Sequence, residues 1–242
     1  MRAKYFIWAI ASGCLTVLLA LQVNAQEFTY KVQQDRTIGH RDGELTISEN
    51  GIEYRAEKKE SRSWTYSGGD IKLLEILSPT KIRIWTYKDR KLFLGKDESL
   101  TFKIVEGQID QKVSDFLRER LPGPFVTSFV EGDRTLLATV PVKHAHRFGG
   151  CEGLLKVYPD RLIYDSETGH DSRSWRWKDI RSLGRPDLYR LDIETFEPQI
   201  GASSRSFNFI LKQQVPDRIY DLLWARIYRP TPLIRPDSSE RR

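Results

Sequence analysis

Short runs of alternating apolar and polar residues recur along most of the chain. Leu45-Thr46-Ile47 and Ile82-Arg83-Ile84 alternate in the amino-terminal half, and Leu191-Asp192-Ile193 alternates in the carboxy-terminal half. This two-residue period is typical of a strand with one buried face. Turn-forming residues separate the runs, as at Glu49-Asn50-Gly51 and Tyr158-Pro159-Asp160. The pattern predicts a mainly β protein.

Two segments have a helical apolar period instead. The first carries apolar residues along one helical stripe, at Ile109, Val113, Phe116, Leu117 and Leu121. The second repeats the same spacings at Val215, Ile219, Leu222, Leu223 and Ile227. An apolar stripe of this kind needs a sheet or a barrel mouth to cover it. We therefore expect one amphipathic helix at the end of each half.

The chain also repeats itself. Ser61-Arg62-Ser63-Trp64 recurs letter for letter as Ser172-Arg173-Ser174-Trp175, and similar matches flank both segments. A repeat distance of about 110 residues is a domain length, far above that of a solenoid repeat. We predict a duplicated domain, with repeat 1 at residues 26–121, a linker at 122–135, repeat 2 at 136–230 and a polar tail at 231–242.

Four residues that recur in both copies are interpreted as structural anchors. Trp64 and Trp175 are expected to bury large aromatic surfaces in the core of each repeat. Asp70 and Asp179 each precede an isoleucine that begins an apolar run, and are expected to act in turns or caps.

Several short antiparallel strands followed by one helix resemble the pleckstrin-homology-like (PH-like) superfold, with its GRAM and bacterial relatives. The resemblance covers residues 37–121 and 140–228 and implies two antiparallel β-barrel or sandwich domains, each closed by a carboxy-terminal helix. Phosphoinositide-binding members carry Lys and Arg around their first hairpin. Here the hairpins interpreted as first, at Ser48–Gly51 and Tyr158–Arg161, are neutral to acidic. This departure argues against an inositol phosphate ligand.

The amino terminus has the pattern of a secretory signal peptide at residues 1–25. Arg2 and Lys4 precede an apolar stretch from Phe6 to Leu21, and small residues end at Ala25. The apolar stretch is shorter than a membrane-spanning helix needs, which favours cleavage and export to a periplasm or the exterior. An uncleaved membrane anchor is the alternative.

Composition narrows the class of protein. The 242 residues include 39 Lys and Arg against 33 Asp and Glu, for a formal charge of +6, and aromatic residues make up 11%. The aromatic content excludes collagen-like and fully disordered chains, and two cysteines exclude a disulfide scaffold. The modest charge of mixed sign does not favour a nucleic-acid partner.

One cluster has the residue types of a metal site. His144 and His146 are two residues apart, so on a strand they point to the same side, and Cys151 follows them. Zinc accepts nitrogen and sulfur ligands, and either His170 or Asp171 would be a fourth ligand. The alternative is that these are polar strand positions without a ligand, and we expect no other cofactor.

A basic stretch in repeat 2 alternates with aromatic residues. It contains Arg173, Arg176, Lys178 and Arg181. We interpret it as a solvated strand face, with anionic lipid headgroups or an acidic polymer as a ligand class. Asp179 and Asp187 interrupt it, and an exported protein rarely meets nucleic acid.

No motif in the chain indicates a catalytic mechanism. The sequence has no G-x-S-x-G, P-loop, G-x-G-x-x-G or H-E-x-x-H pattern. We therefore expect an exported, non-enzymatic interaction module whose partner is an unknown protein or an anionic envelope component. The alternatives are a metal-dependent protein using His144, His146 and Cys151, and peripheral membrane binding through the basic stretch.

Overall fold

The computed structural model describes residues 26–90, 93–128, 135–146, 149–169, 171–199 and 202–228. The predicted leader at residues 1–25, the polar tail at 231–242 and His170 lie outside these described residues. Within them, no helix is both long enough and apolar enough to cross a bilayer. The described residues form a mainly β structure, as predicted.

The described part of the amino-terminal half contains seven strands followed by a helix and one further short strand. They are β1 (Phe28–Asp35), β2 (His40–Ser48), β3 (Gly51–Ala56), β4 (Trp64–Tyr66), β5 (Ile71–Ser78), β6 (Lys81–Arg90), β7 (Phe93–Glu106), α1 (Gln111–Arg120) and β8 (Phe125–Thr127). The alternating runs at 45–47 and 82–84 lie within β2 and β6. The sequence analysis does not include β1, although Phe28, Tyr30 and Val32 alternate with polar residues along it and contribute to the amino-terminal core.

The described part of the carboxy-terminal half also contains seven strands and a helix. They are β9 (Ala138–Ala145), β10 (Gly150–Val157), β11 (Arg161–Ser166), β12 (Arg173–Arg176), β13 (Ile180–Gly184), β14 (Arg190–Thr195), β15 (Arg205–Leu211) and α2 (Asp217–Tyr228). A 3-10 turn at Trp177–Asp179 follows β12 and leads into β13.

The strands pair in the same order in both halves. The order is β5-β6-β7-β1-β2-β3-β4 in the amino-terminal half and β13-β14-β15-β9-β10-β11-β12 in the carboxy-terminal half. Neighbouring strands within each half are antiparallel. Each strand therefore has a counterpart at the matching place of the other half.

Strand β8 joins the two halves into one continuous sheet. It pairs in parallel with β5 on one side and antiparallel with β12 on the other. Because successive side chains of a strand point to opposite faces, Phe125 packs into the amino-terminal core and Val126 into the carboxy-terminal core. Part of the segment predicted as a linker is thus a strand shared by both halves.

The two α-helices bury the predicted apolar stripes. In α1, Val113, Phe116 and Leu117 are buried in the amino-terminal core, and Asp110 caps the helix by accepting a hydrogen bond from the Val113 N–H at 3.0 Å. In α2, Leu223 is buried, and the stripe residues around it pack against the carboxy-terminal core. Each helix therefore covers the core of its own half.

The strand register does not follow the letter-for-letter repeat. Tyr66 of β4 lies opposite Ile52, and Trp175 of β12 lies opposite Leu162, so Tyr66 and Trp175 hold matching positions. Tyr66 is 5% exposed and Trp175 is fully buried, whereas Trp64 is half-buried. The matching strand positions are thus displaced by two residues from the repeated letters, and Trp175 alone of the two tryptophans is a fully buried anchor.

Candidate functional site

Three polar side chains meet at the end of β9 in the carboxy-terminal half. Nδ1 of His144 lies 2.5 Å from Oδ2 of Asp171, and Nε2 of His146 lies 3.2 Å from the same oxygen. One donor atom from each of the three residues lies within 4.8 Å of the others. The structure thus brings the two predicted histidines together with Asp171, which the sequence suggested as a fourth ligand.

Aromatic rings hold the imidazole of His144. The ring centroids of Tyr164, Phe207 and Phe209 lie 5.6, 5.3 and 5.2 Å from that of His144, which is only 4% exposed. The His146 side chain is 37% exposed. One histidine therefore belongs to the core, and the other faces solvent.

The carboxyl group of Asp171 is held in its ionised form. Burial acts to raise the pKa of Asp171, but the hydrogen bond with His144 and the charges of His144, His146 and Arg173 outweigh it. The pKa therefore lies below its ordinary value. The cluster combines an anionic oxygen with two imidazoles.

Cys151 does not belong to this cluster. It lies opposite His144 in the β9–β10 register and is a half-buried free thiol. Its sulfur is not among the donor atoms that group together in the described part of the chain. The compact donor set is therefore His144, His146 and Asp171, rather than the predicted set with Cys151.

Arg176, which was expected on a solvated basic face, is buried between the two halves. It is 5% exposed, and its guanidinium pairs with both carboxylate oxygens of Asp179, at 2.5 and 2.9 Å. The same group donates to the backbone carbonyls of Arg118 and Leu121, at 3.0 and 2.8 Å, and to that of Gly123. Because these carbonyls lie at and after the end of α1, Arg176 connects the carboxy-terminal half to the helix of the other half.

The other residues of the basic stretch are also only partly free. The Arg173 side chain is 12% exposed and donates to Oγ of Ser128 at 3.0 Å. Lys178 donates to the carbonyl of Leu121 at 3.2 Å, and Arg181 is half-exposed. These side chains do not form the predicted continuous basic face, because Arg173 and Arg176 make their contacts inside the protein.

The two aspartates interpreted as anchors have different roles. Asp70 accepts hydrogen bonds from the N–H and hydroxyl groups of Ser67, at 3.0 and 2.7 Å, in a capping box. Asp70 thus completes the capping box of the 3-10 turn at Gly68–Asp70. Asp179 is 3% exposed and, besides Arg176, accepts from the Phe125 N–H of β8 at 3.1 Å. Asp179 therefore holds the strand that the two halves share.

A basic pocket lies at the matching end of the amino-terminal half. It is a small cavity of about 120 Å³ lined by Arg36, His40, Arg41, Asp42, Ala56, Lys58, Lys59 and Arg62. The turn between β1 and β2 supplies the first cations, and the segment between β3 and β4 supplies the others. Sequence reasoning missed this site because two strands separate its halves along the chain. Only the pairing of β2 with β3 brings them together.

The cations of the basic pocket are poorly neutralised. Asp42 accepts from the Gln33 amide at 3.1 Å and lies 3.7 Å from His40. The described residues place no carboxylate within ion-pair distance of the five Arg and Lys side chains of the pocket. Glu57 and Glu60 belong to the same loop but do not line the cavity.

Arg41 is the innermost cation of the pocket. Its Nε is buried and has no hydrogen-bond partner, and Nη1 makes only a long contact of 3.4 Å to Oε1 of Gln34. Burial and the charges of Arg36 and Arg62 lower the pKa of Arg41. An anion in the pocket would supply the missing acceptor and the missing negative charge.

The first hairpin of the amino-terminal half is β1–β2, not the β2–β3 hairpin at Ser48–Gly51. Its turn contains Arg36, and its second strand begins with His40 and Arg41. The expectation that argued against an inositol phosphate therefore rested on the wrong hairpin, because the sequence analysis did not include β1.

Comparison with known proteins leaves the family open. No protein-family model matches the chain, and no curated protein matches it. Among solved structures, the C-terminal domain of an unknown protein from Leishmania infantum is 15% identical, with a TM-score of 0.31 over 38% of this chain and 84% of that one. The Spt16D Pob3N heterodimer is 10% identical, with a TM-score of 0.29 over 71% of this chain and 84% of that one. Both likenesses are too distant to carry an argument about function.

Proposed function

We propose that the protein is an exported, non-enzymatic binding protein made of two PH-like units, and that the basic pocket of the first unit binds a phosphate-bearing anion. The observation that carries the proposal is the buried Nε of Arg41, which has no acceptor, among cations without paired acids. Phosphate oxygens suit guanidinium and ammonium donors best, because these bonds are charge-assisted.

The matching strand order of the two halves supports their origin from one duplicated unit. Gly43 and Gly153 hold matching positions, and a Cβ at either would lie only 2.5 or 2.3 Å from a backbone oxygen of the facing strand. Ser63 and Ser172 also correspond. Their hydroxyls accept hydrogen bonds, at 2.9 and 3.0 Å, from the N–H groups of the last residues of β3 and β11. Close approaches of this kind depend on the fold rather than on a ligand.

The shape of the pocket favours a compact ligand. A recess of about 120 Å³ accepts a phosphate group or a small cluster of them, whereas a nucleic-acid strand needs an extended groove. A soluble polyphosphate and a lipid headgroup share the required chemistry. The two sources differ in whether a membrane surface must be present.

Binding of inositol hexakisphosphate to the full chain tests the pocket by calorimetry. We expect Arg41→Gln combined with Arg62→Gln to weaken binding at least tenfold, because each lost contact is a hydrogen bond to a charged group worth about 1.5–3 kcal/mol. Arg181→Gln, which removes a half-exposed cation of the other half, is the control and should bind like the parent. Binding should also weaken as salt rises.

Vesicles distinguish the two sources of phosphate. Flotation with phosphatidylcholine vesicles that contain a phosphoinositide, but not with phosphatidylcholine alone, would assign the pocket to lipid headgroups; calorimetric binding without flotation would assign it to a soluble phosphate. Absence of both, or equal binding by the double variant and the control, contradicts the proposal.

The export component of the proposal has its own test. We expect the protein recovered from an extracytoplasmic fraction to begin at Gln26, since the small-residue site ends at Ala25. Amino-terminal sequencing measures this directly. Recovery of a chain beginning at Met1 in the cytoplasmic fraction would contradict export.

A further inference from the structure

We infer that His144, His146 and Asp171 bind a divalent transition-metal ion, with Zn²⁺ as the reference ion. This site lies in the other half from the basic pocket and does not depend on it. β9 supplies His144, the chain just after β9 supplies His146, and the segment before β12 supplies Asp171. Imidazole nitrogens and carboxylate oxygens are zinc ligands, and three protein ligands leave a fourth coordination position open.

The donor spacing is close to that of a coordination site. Ligand atoms about 2.0–2.2 Å from a tetrahedral ion lie about 3.3–3.5 Å from one another. The 3.2 Å between His146 Nε2 and Asp171 Oδ2 meets this requirement within a few tenths of an ångström. The 2.5 Å between His144 Nδ1 and Asp171 Oδ2 is the length of a shared hydrogen bond and must widen by roughly 1 Å.

The surroundings position the donors before any ion arrives. Packing against Tyr164, Phe207 and Phe209 fixes the ring of His144. A ligand whose orientation is already fixed loses little conformational freedom on coordination. His146, with its side chain 37% exposed, gives the site a solvent-facing side through which an ion can enter and on which a fourth ligand can bind.

Among the described residues, the matching place in the amino-terminal half lacks this donor set. Gln34 pairs with Phe102 as His144 pairs with Phe209, so Gln34 takes the place of His144. Arg36, two residues later, takes the place of His146 and repels cations. The inference therefore specifies one ion per chain.

A purely structural His144–Asp171 pair is the competing explanation for the cluster. Such a pair would satisfy two buried polar groups without any ion. In that case His146 is dispensable, because its contact with Asp171 lies at the solvent-facing side. In a metal site, His146 is a ligand. His146→Ala therefore separates the two explanations.

The test uses the full chain, freed of metal by a chelator and titrated with Co²⁺, with Zn²⁺ as competitor. We expect visible d–d absorption that saturates at one ion per chain and disappears when Zn²⁺ is added. His146→Ala should weaken binding at least 10–100-fold, since loss even of residues that only orient a ligand costs that much. Cys151→Ser, on the strand position opposite His144, is the matched control and should bind like the parent.

Thermal unfolding provides a second readout. Zn²⁺ should raise the midpoint of the parent and of Cys151→Ser but not that of His146→Ala, because only a binding-competent folded state is stabilised by the ion. Three results would overturn the inference: no saturable binding by the parent, binding by His146→Ala equal to that of the parent, or loss of binding in Cys151→Ser. Unfolding of His146→Ala without metal at the parent's midpoint shows that the variant has folded.

Discussion

Replacing Arg176 with alanine is expected to lower the free energy of unfolding by about 3–5 kcal/mol. The guanidinium pairs with Asp179 and donates to three backbone carbonyls at and after the end of α1. The variant would remove the charged donor from the buried carboxylate of Asp179, which keeps only part of its partners, including the Phe125 N–H, and would remove one donor from each of the three carbonyls. Loss of partners at buried polar groups destabilises a protein more than loss of an exposed ion pair does. Urea unfolding of the variant and the parent measures the loss.

Arg181→Ala is the control for this substitution. It removes the same charge from a half-exposed side chain that lies 3.4 Å from Glu194, so we expect a loss below about 1 kcal/mol. Equal losses in the two variants would show that the buried contacts of Arg176 do not stabilise the junction of the two halves.

The stability deficit of Arg176→Ala, meaning its loss of free energy of unfolding relative to the parent, should also depend on pH. Burial already raises the pKa of Asp179, although Arg176 opposes the rise. Without Arg176, the folded state would bind a proton at Asp179 more readily than the unfolded state does. The deficit should therefore narrow as the pH falls from neutral through the raised pKa. A deficit that widens over that range would contradict this account.

Trp175→Ala is expected to destabilise the protein by about 3–5 kcal/mol, as removal of a fully buried aromatic side chain does. The indole packs against Phe207 with ring centroids 4.8 Å apart, and its Nε1–H donates to Oε1 of Glu197 at 2.6 Å. Burial raises the pKa of Glu197, and its Oε1 also accepts a hydrogen bond from the Thr195 hydroxyl at 3.4 Å. The variant loses the packing and one of those donors together, and urea unfolding measures the sum.

Trp64→Ala is the comparison that tests the strand register. Trp64 is half-buried, its ring contacts Tyr66 at 4.5 Å between centroids, and Tyr66 holds the position that matches Trp175. We expect Trp64→Ala to lower the free energy of unfolding by at least about 1.5 kcal/mol less than Trp175→Ala does. This difference is the value of a hydrogen bond to a charged group. If the two tryptophans were equivalent anchors, as the repeated letters suggest, the two losses would be equal.

Periodicity alone predicted the elements whose apolar positions are strong. The stripes around Val113 and Leu223 formed helices that cover the cores, and the alternating runs at Leu45 and Ile82 formed strands. These predictions succeed because burial of one face determines the period. β1 was missed although Phe28, Tyr30 and Val32 show the same alternation, so the omission was one of interpretation rather than of signal.

Position along the chain did not reveal which charges face water. Arg176 and Arg181 belong to one basic stretch, yet the first is 5% exposed and the second is half-exposed. The difference depends on Asp179 and on the end of α1, which is more than fifty residues away. A contact of this range leaves no periodic signal in the sequence.

The two candidate sites also differ in how far the sequence could predict them. His144 and His146 were predictable because they are two residues apart, at and just after the end of β9. The choice of Asp171 over Cys151 depended on how the segment before β12 returns to β9. The basic pocket was not predictable from the loops that form it. Arg36 and Arg62 become neighbours only when β2 and β3 pair.

The position of β8 determines how the protein can be divided. A cut after residue 121 keeps β8 with the carboxy-terminal piece and uncovers β5, whereas a cut after residue 128 keeps it with the amino-terminal piece and uncovers β12. Either way, one fragment acquires a row of unsatisfied N–H and C=O groups that recruits strands from other chains. Isolated halves are therefore prone to self-association, and solution studies of either half require the intact polypeptide.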